Sequence, residues 1–150
     1  GSGGPTALIM SRQNLPVLEG SAGAPVGAGA YVLQEAEDAV VTLVGTGSEV
    51  SVCVDAAAAL AGQGVSARVV SFPSWELFAD ADADTQENVM RPELPSLAVE
   101  AGVAQGWHQW VDDVVSIDRF GASAPGGTVM REFGINVDNV VARARTLLGA

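Results

Sequence analysis

Residues 39–50, AVVTLVGTGSEV, decide the fold of this 150-residue chain. Residues 39–44 are apolar on both faces of a strand, which is typical of a central strand in a parallel sheet. Thr46 and Glu49 have the spacing of a capping box, with Thr46 at the N-cap and Glu49 three residues later. Apolar residues then follow at helical spacing: Val50, Val54, Ala57, Ala58 and Ala61. The stretch predicts a buried strand and a capped helix that ends near Gly62 or Gly64.

The rest of the chain continues this alternation. Short apolar runs predict further strands at residues 31–33, 65–71, 97–99 and 114–117. Helices are predicted at residues 74–78, 80–88 and 105–111. A terminal helix, capped by Asn136 or Asp138, carries an apolar stripe of Val137, Val140, Val141, Ala144, Leu147 and Leu148. The pattern predicts an α/β fold, a three-layer α/β/α arrangement around a mostly parallel central sheet with right-handed crossovers.

The N-terminal region has a different composition. Residues 7–10 are apolar and predict a short buried strand that leads into a loop containing Pro16. Residues 20–29 are small and rich in glycine and proline, so we expect a domain boundary there. Residues 1–4 have neither the basic nor the apolar region of a secretory signal, and we interpret them as a cloning scar.

Composition excludes several classes of function. The net charge is -11, and all seven basic residues are arginine, so a P-loop lysine, a Schiff-base lysine and a Ser-Lys dyad are all excluded. The acidic balance argues against a nucleic-acid partner, and the interrupted apolar runs argue against a membrane-spanning segment. The one cysteine, Cys53, cannot form an internal disulfide and has the apolar helical setting of a buried thiol. We therefore expect a soluble protein with a cytoplasmic location.

The turn Gly45-Thr46-Gly47-Ser48 is the most suggestive local motif. It lies between a predicted buried strand and a predicted helix, where exposed amides and the helix dipole can bind an anion. A dinucleotide fingerprint would need a third glycine at position 50, which is Val50. Two interpretations stay open, a plain tight turn before a capped helix and a site for an anion or an effector.

Other candidate motifs predict no catalytic or metal site. His108 is the single histidine, and no G-x-S-x-G sequence supplies a serine nucleophile for a triad, so we expect His108 to be packed or on the surface. One histidine and one cysteine cannot supply a zinc site. The acidic pairs and repeats at residues 80–84 and 112–113 lack the glycine and terminal glutamate of a calcium loop.

Four stretches together resemble the transketolase family. They are LIMSRQNLP at residues 8–16, GTGSEV at 45–50, VSFPSWELF at 70–78 and DRFGASAP at 118–125. Their order and spacing also agree with that family, and the resemblance continues through residues 132–134 and 137–141 to the end of the chain. The stretches at residues 11–14 and 74–78 are specific, whereas the Gly-Thr-Gly-Ser turn occurs in other thiamine diphosphate enzymes too.

The resemblance implies an origin and an activity. Residues 5–27 would be the end of the family's middle, pyrimidine-binding domain with its linker, and residues 28–150 would be the C-terminal domain. Transketolases transfer a two-carbon ketol unit between phosphorylated sugars in the pentose phosphate pathway. They are homodimers that use thiamine diphosphate and a divalent metal, magnesium or calcium. The family's cofactor motif and catalytic residues lie upstream of Thr6, so the resemblance implies a non-catalytic domain, structural or regulatory, whose partners are the other domains of its chain.

One functional residue follows from the resemblance. Arg12 matches the arginine that binds the substrate phosphate in the family, and a guanidinium suits a phosphate geometrically. The alternative role for Arg12 is an ion pair across a domain interface. Rival assignments for the chain are the same domain of a deoxyxylulose-phosphate synthase or a dehydrogenase β subunit, and a stand-alone anion- or nucleotide-binding module. The stretches at residues 11–14 and 74–78 favour transketolase.

Overall fold

The computed structural model describes residues 4–149 and contains a five-stranded sheet. The strands are β1 (Tyr31–Gln34), β2 (Val41–Gly45), β3 (Ala67–Ser71), β4 (Ser96–Val99) and β5 (Asp113–Val115). Their order is β1-β3-β2-β4-β5, and every pair is parallel except β1 with β3. The mostly parallel central sheet is therefore confirmed, with an antiparallel strand at one edge.

Five helices cover the two faces of the sheet. They are α1 (Glu49–Ala61), α2 (Trp75–Ala79), α3 (Ala83–Met90), α4 (Gly126–Glu132) and α5 (Val137–Leu147), and short 3₁₀ turns lie at Val26–Ala28 and Trp107–Gln109. Helices α1 and α5 pack on one face, while α2, α3 and the second 3₁₀ turn pack on the other. This confirms the three-layer prediction. None of the helices within residues 4–149 has the length and apolar character needed to cross a lipid bilayer.

The two cores follow the alternation of side chains along each strand. In β2, Val41 and Leu43 face the core under α1 and α5, whereas Val44 faces the core under α2 and α3. The second core is aromatic, because the ring of Phe72 meets the rings of Phe78 and Trp107 edge to face at centroid distances of 4.9 and 5.7 Å. Strand β2 is fully buried, as its apolar run predicts.

The cap predicted at Asn136 is confirmed, and the capping box is wrong. The side chains of Ser74 and Asn136 accept backbone hydrogen bonds at the starts of α2 and α5. At α1, however, the N-cap residue is Ser48, and its side chain makes no capping bond. Thr46 lies before the helix because Gly47 turns the chain with a φ of 55°, and the carboxylate of Glu49 accepts from the Ser48 hydroxyl instead.

Other boundaries shift in ways that have local causes. Helix α1 ends at Ala61, and the left-handed residue that follows is Gly64 rather than Gly62. The helix predicted at residues 105–111 is only a 3₁₀ turn, since Gly106 has a φ of 88° and a Cβ there would lie 2.7 Å from the Trp75 ring. Helix α4 was not predicted, because it begins with two glycines, which are poor helix formers.

The strand predicted at residues 7–10 is wrong. Leu8, Ile9 and Met10 are 83%, 98% and 84% exposed, and the segment forms no strand of the sheet. An apolar run forms a strand only where a neighbouring strand is available, and none of the described strands lies beside it. The Gly/Pro-rich segment at residues 20–29 is mostly exposed. The domain boundary placed there stays a prediction, and residues 1–3 of the expected cloning scar lie outside the described residues.

Candidate functional site

The turn after β2 brings the backbone of α1 close to the strand. Gly45 is buried, and a Cβ at this position would lie 2.8 Å from Cα of Val50 and 3.1 Å from Sγ of Cys53. The backbone N–H of Glu49 donates to the carbonyl of Thr46. Packing therefore requires glycine at position 45, because the missing side chain lets the helix start directly over the strand end.

Two carboxylates set the electrostatics of this turn. Glu49 is only 5% exposed, and burial, together with the neighbouring charge of Glu100, raises the pKa of Glu49. The hydrogen bond that the Ser48 hydroxyl donates to Glu49 partly opposes this rise in pKa. An anion at the amides of Gly47 and Ser48 would meet these carboxylates, so the charge distribution favours the plain turn over the anion site.

The N-terminal segment also lies against the turn. Leu15, Pro16 and Leu18 line a small cavity of about 40 Å³ together with Gly47 and Ser48, and Ser51 of α1 completes its lining. The surface that the N-terminal segment presents to the turn is thus apolar. The N-terminal segment therefore meets the rest of the fold beside this turn.

A larger crevice of about 200 Å³ opens beside the turn, at the carboxyl ends of β2, β3 and β4. Its polar lining includes Thr46, Glu76 and Glu100, and its aromatic wall includes Trp75 and Trp107. After β2 the chain passes to α1 on one face, and after β4 it passes to the 3₁₀ turn on the other face. Such a switch between adjacent strands is where open α/β sheets place their ligands. We call this feature the carboxyl-edge crevice.

The carboxylate of Glu100 has a fixed orientation in the crevice. The backbone N–H of Gly102 donates to Oε1 at 2.7 Å, and Nε1 of Trp107 donates to Oε2 at 3.2 Å. The rings of Trp75 and Trp107 meet edge to face with centroids 5.1 Å apart. Carboxylates beside aromatic faces suit a basic or hydrogen-bond-donating group. Sequence reasoning missed Glu100, although its place directly after an apolar strand was a usable signal.

Arg12 is exposed and lies in a bend of the N-terminal segment. Among the ion pairs within residues 4–149, none includes Arg12. Its alternative role, an ion pair across a domain interface, stays a prediction. The structure does not bring Arg12 into the lining of the carboxyl-edge crevice.

The remaining candidates are structural. His108 is exposed in the 3₁₀ turn, and Cys53 is fully buried, where burial raises the pKa of its thiol far above the usual range. Residues 4–149 do not bring together three or more His, Cys, Asp or Glu side chains that could hold a metal ion. The described residues therefore do not fit the metal that accompanies thiamine diphosphate.

The family model for the transketolase-like TK C-terminal domain matches residues 29–136 of this chain. The chain belongs to the transketolase family. It is 49% identical to the transketolase of Halalkalibacterium halodurans over 96% of its own length, which is 23% of that protein. The transketolase of Nostoc sp. is 45% identical, with 97% of this chain and 22% of the relative covered. This chain therefore spans less than a quarter of these relatives and corresponds to their C-terminal domain.

Solved transketolases share the fold. The Leishmania mexicana enzyme superposes with a TM-score of 0.86 at 40% identity, over 92% of this chain and 20% of that one. The Pichia stipitis enzyme in complex with sedoheptulose 7-phosphate has a TM-score of 0.89 at 36% identity, with the same coverages of 92% and 20%. These likenesses favour the transketolase C-terminal domain over the rival thiamine enzymes and over a stand-alone binding module.

The transketolase-like stretches converge in the fold. Residues 45–50 begin at the last residue of β2, residues 70–78 run through the end of β3 into α2, and residues 118–125 follow β5. All three therefore lie at the carboxyl edge of the sheet, and the first two contribute residues to the lining of the carboxyl-edge crevice. The stretch at residues 8–16 lies in the exposed N-terminal segment, and its last two residues, Leu15 and Pro16, line the small cavity beside Gly47 and Ser48.

Proposed function

We propose that this chain is the C-terminal domain of a longer transketolase that transfers a two-carbon ketol unit between phosphorylated sugars. The single observation that carries the proposal is the match of residues 29–136 to the C-terminal domain of that family. Solved relatives from Pichia stipitis are complexes with xylulose 5-phosphate, sedoheptulose 7-phosphate and fructose 6-phosphate, which supports phosphorylated sugars as substrates.

In this proposal, the chain alone has no catalytic activity. Thiamine diphosphate and its metal, magnesium or calcium, bind to the upstream domains of the full-length enzyme. The domain formed by residues 28–150 stabilises the full chain by packing against those domains. The full enzyme is a cytoplasmic homodimer.

Arg12 is the proposed substrate-binding residue of this chain. Its exposed guanidinium can donate charge-assisted hydrogen bonds to the phosphate of the sugar, and no carboxylate within the described residues pairs with it. A phosphate held in this way contributes to binding while the ketol transfer occurs at the other end of the sugar. The role of Arg12 is therefore to position the substrate.

Regulation at the turn of Gly45, Thr46, Gly47 and Ser48 remains the weaker alternative. Its amides could hold the phosphate of an effector, but Glu49 is buried beside them. We therefore assign the turn a structural role, and a phosphate titration distinguishes the two roles.

The proposal is tested by a ketol-transfer assay on two proteins, the full-length enzyme that contains this sequence and the 150-residue chain. Both receive xylulose 5-phosphate, a phosphorylated aldose acceptor, thiamine diphosphate and magnesium. We expect turnover by the full-length enzyme alone. A full-length protein that folds and binds the cofactor but transfers no ketol unit would overturn the proposed function.

A further inference from the structure

The residue proposed to bind the substrate phosphate lies on an irregular stretch of chain. Arg12 is exposed, and its backbone belongs to no helix or strand. A guanidinium on such a stretch binds a phosphate well only if its backbone is already restrained, because ordering a loose arginine costs conformational entropy. The residues that neighbour Arg12 in the sequence must therefore contribute to that restraint.

A short apolar stretch directly downstream contacts the domain. Leu15, Pro16 and Leu18 line the small cavity at the turn between β2 and α1, and we call these three residues the anchor. The ring of Pro16 fixes its own φ and keeps Leu15 out of the helical region, so the backbone here is stiff. Val17, in contrast, is 91% exposed and does not line the cavity. The stretch therefore has a side that packs and a side that faces solvent.

A second set of contacts holds the downstream end of the anchor. The carbonyl of Leu18 accepts from the backbone N–H and the hydroxyl of Ser21, at 3.1 and 2.6 Å. Gly20 has a φ of 82°, and a Cβ there would lie 2.8 Å from the carbonyl oxygen of Leu33 in β1. Glycine allows both this φ and this close approach. The chain thus turns after Leu18 and passes against the edge strand, which restrains the anchor from its downstream end.

The anchor limits where Arg12 can lie. Arg12 precedes Leu15 by three residues, and an extended chain spans at most about 3.3–3.6 Å per residue, so the two Cα atoms stay within roughly 11 Å of each other. The placement of a substrate-binding group matters, because a displacement of about 1 Å can lower the rate roughly 100-fold. A restraint at Leu15 therefore narrows the volume that the Arg12 guanidinium samples.

We infer that Leu15, Pro16 and Leu18 are positioning residues for the substrate phosphate. By packing at the turn between β2 and α1, they hold Arg12 where its guanidinium meets the phosphate of the sugar. The C-terminal domain thereby contributes to substrate binding in the full-length enzyme through the surface on which the anchor packs. The inference rests on the proposed function, because it takes the role of Arg12 from it.

Steady-state kinetics of the full-length enzyme test the anchor through Leu18→Ala. We expect KM for a phosphorylated acceptor to rise about tenfold with little change in kcat, since the variant misplaces a group that binds the ground and transition states equally. The kcat/KM for an unphosphorylated acceptor should stay the same. Leu18→Met keeps a side chain of similar volume and should restore KM. The matched control is Val17→Ala, which should change neither constant because Val17 is exposed beside the anchor.

A double-mutant cycle shows whether the anchor acts through Arg12. In the Arg12→Ala background, Leu18→Ala should have no further effect on KM, because the group that it positions is already absent. Losses that multiply in the double variant would overturn the inference. Pro16→Gly releases the φ of an exposed residue and should raise KM in the same way, which keeps the test valid if Leu18→Ala impairs folding.

The outcomes separate this inference from the proposed function. If Arg12→Ala weakens the phosphorylated acceptor while Leu18→Ala and Pro16→Gly behave like Val17→Ala, the anchor is wrong and the function stands. Equal losses for both classes of acceptor in Leu18→Ala would also contradict the inference, because they would assign the anchor a structural role. If Arg12→Ala leaves the phosphorylated acceptor unaffected, the roles of Arg12 and of the anchor are both wrong, while ketol transfer stands. Lack of ketol transfer by the full-length enzyme would overturn the proposed function itself.

Discussion

Arg68 is fully buried in β3, and its guanidinium is satisfied by four hydrogen bonds. Nε and Nη2 each donate to the carboxylate of Glu35 at 3.0 Å, and the other two bonds reach the carbonyls of Val89 and Asn88 at 2.7 and 3.3 Å. Those carbonyls lie at the C-terminal end of α3, where a cation is favoured by the helix dipole. Arg68 therefore joins the residue after β1 to the end of α3.

Replacement of Glu35 should show how much the charge of the Glu35–Arg68 pair contributes to the free energy of unfolding. The Arg68 guanidinium lowers the pKa of Glu35, whose side chain is 51% exposed. Because solvent screens the pair, we expect Glu35→Gln to lower the free energy of unfolding at pH 7 by only about 1 kcal/mol. The lowered folded pKa means that the advantage of Glu35 is complete above its unfolded pKa of about 4.3 and disappears as the pH falls through the folded value.

Urea denaturation of wild type and Glu35→Gln at pH 7 and near pH 3 measures this difference. The gap between the two proteins should shrink at the lower pH. An equal gap at both values would show that the carboxylate acts through packing and not through its charge. Glu37→Gln is the matched control, because Glu37 is a nearby glutamate without a partner among the ion pairs within residues 4–149.

Replacement of Arg12 tests the substrate phosphate site in the full-length enzyme. The loss of charge-assisted hydrogen bonds should cost about 1.5 to 3 kcal/mol, which lowers kcat/KM roughly 10- to 150-fold. The loss should appear mainly in KM if the phosphate is bound equally in the ground and transition states. Steady-state kinetics of Arg12→Ala with a phosphorylated acceptor measures it.

An unphosphorylated acceptor is the control for Arg12. The kcat/KM for that acceptor should be nearly the same in wild type and Arg12→Ala. Arg145→Ala provides a second control, because Arg145 in α5 donates a hydrogen bond to Gln63, which lies just after α1. Equal losses for both classes of acceptor, together with a lower melting temperature, would assign Arg12 a structural role.

At the scale of elements, Asn136 connects α4 with α5. Its Oδ1 accepts from the backbone N–H of Asn139 at 3.0 Å, and its Nδ2 donates to the carbonyl of Arg131 at 3.2 Å. Asn136→Ala removes the cap and should lower the free energy of unfolding by about 1 kcal/mol. Asn136→Asp keeps the capping oxygen and should recover most of that loss in chemical denaturation. A variant with aspartate as unstable as the one with alanine would mean that the cap is not the stabilising contact.

The turn between β2 and α1 allows a direct test of the anion alternative. Glu49 and Glu100 lie close enough for the charge of Glu100 to raise the pKa of Glu49, so phosphate should be repelled from the amides. We expect the amide resonances of Gly47 and Ser48 to stay in place during an NMR titration to tens of millimolar phosphate, with sodium chloride as the ionic-strength control. Saturable shifts confined to these amides would support the anion site instead.

Some elements could be predicted from the sequence because their signals are local. The apolar run of β2 and the capping side chains of Ser74 and Asn136 lie within a few residues of what they determine. The antiparallel direction of β1 could not be predicted, because it depends on the pairing of Tyr31 with Ser71. The run at residues 7–10 has strand composition, but composition does not tell whether a neighbouring strand is present.

At the scale of the whole molecule, some parts of the candidate site could be predicted from local sequence signals and others could not. The turn of Gly45 to Ser48 could be found from its glycines, and Arg12 from the resemblance of residues 8–16. The carboxyl-edge crevice could not be found, since Thr46, Glu76 and Glu100 come together only when β2, β3 and β4 lie side by side. Long-range pairing of strands decides which polar residues share an edge, and no local pattern encodes it.

Calorimetry with thiamine diphosphate and magnesium tests the central claim most directly, that this chain is a transketolase C-terminal domain without a catalytic site of its own. The full-length enzyme should give a saturable heat of binding under the same conditions. The 150-residue chain should give none, because residues 4–149 bring together no group of acidic, histidine or cysteine side chains that could hold the metal. A micromolar dissociation constant for the 150-residue chain would contradict the account.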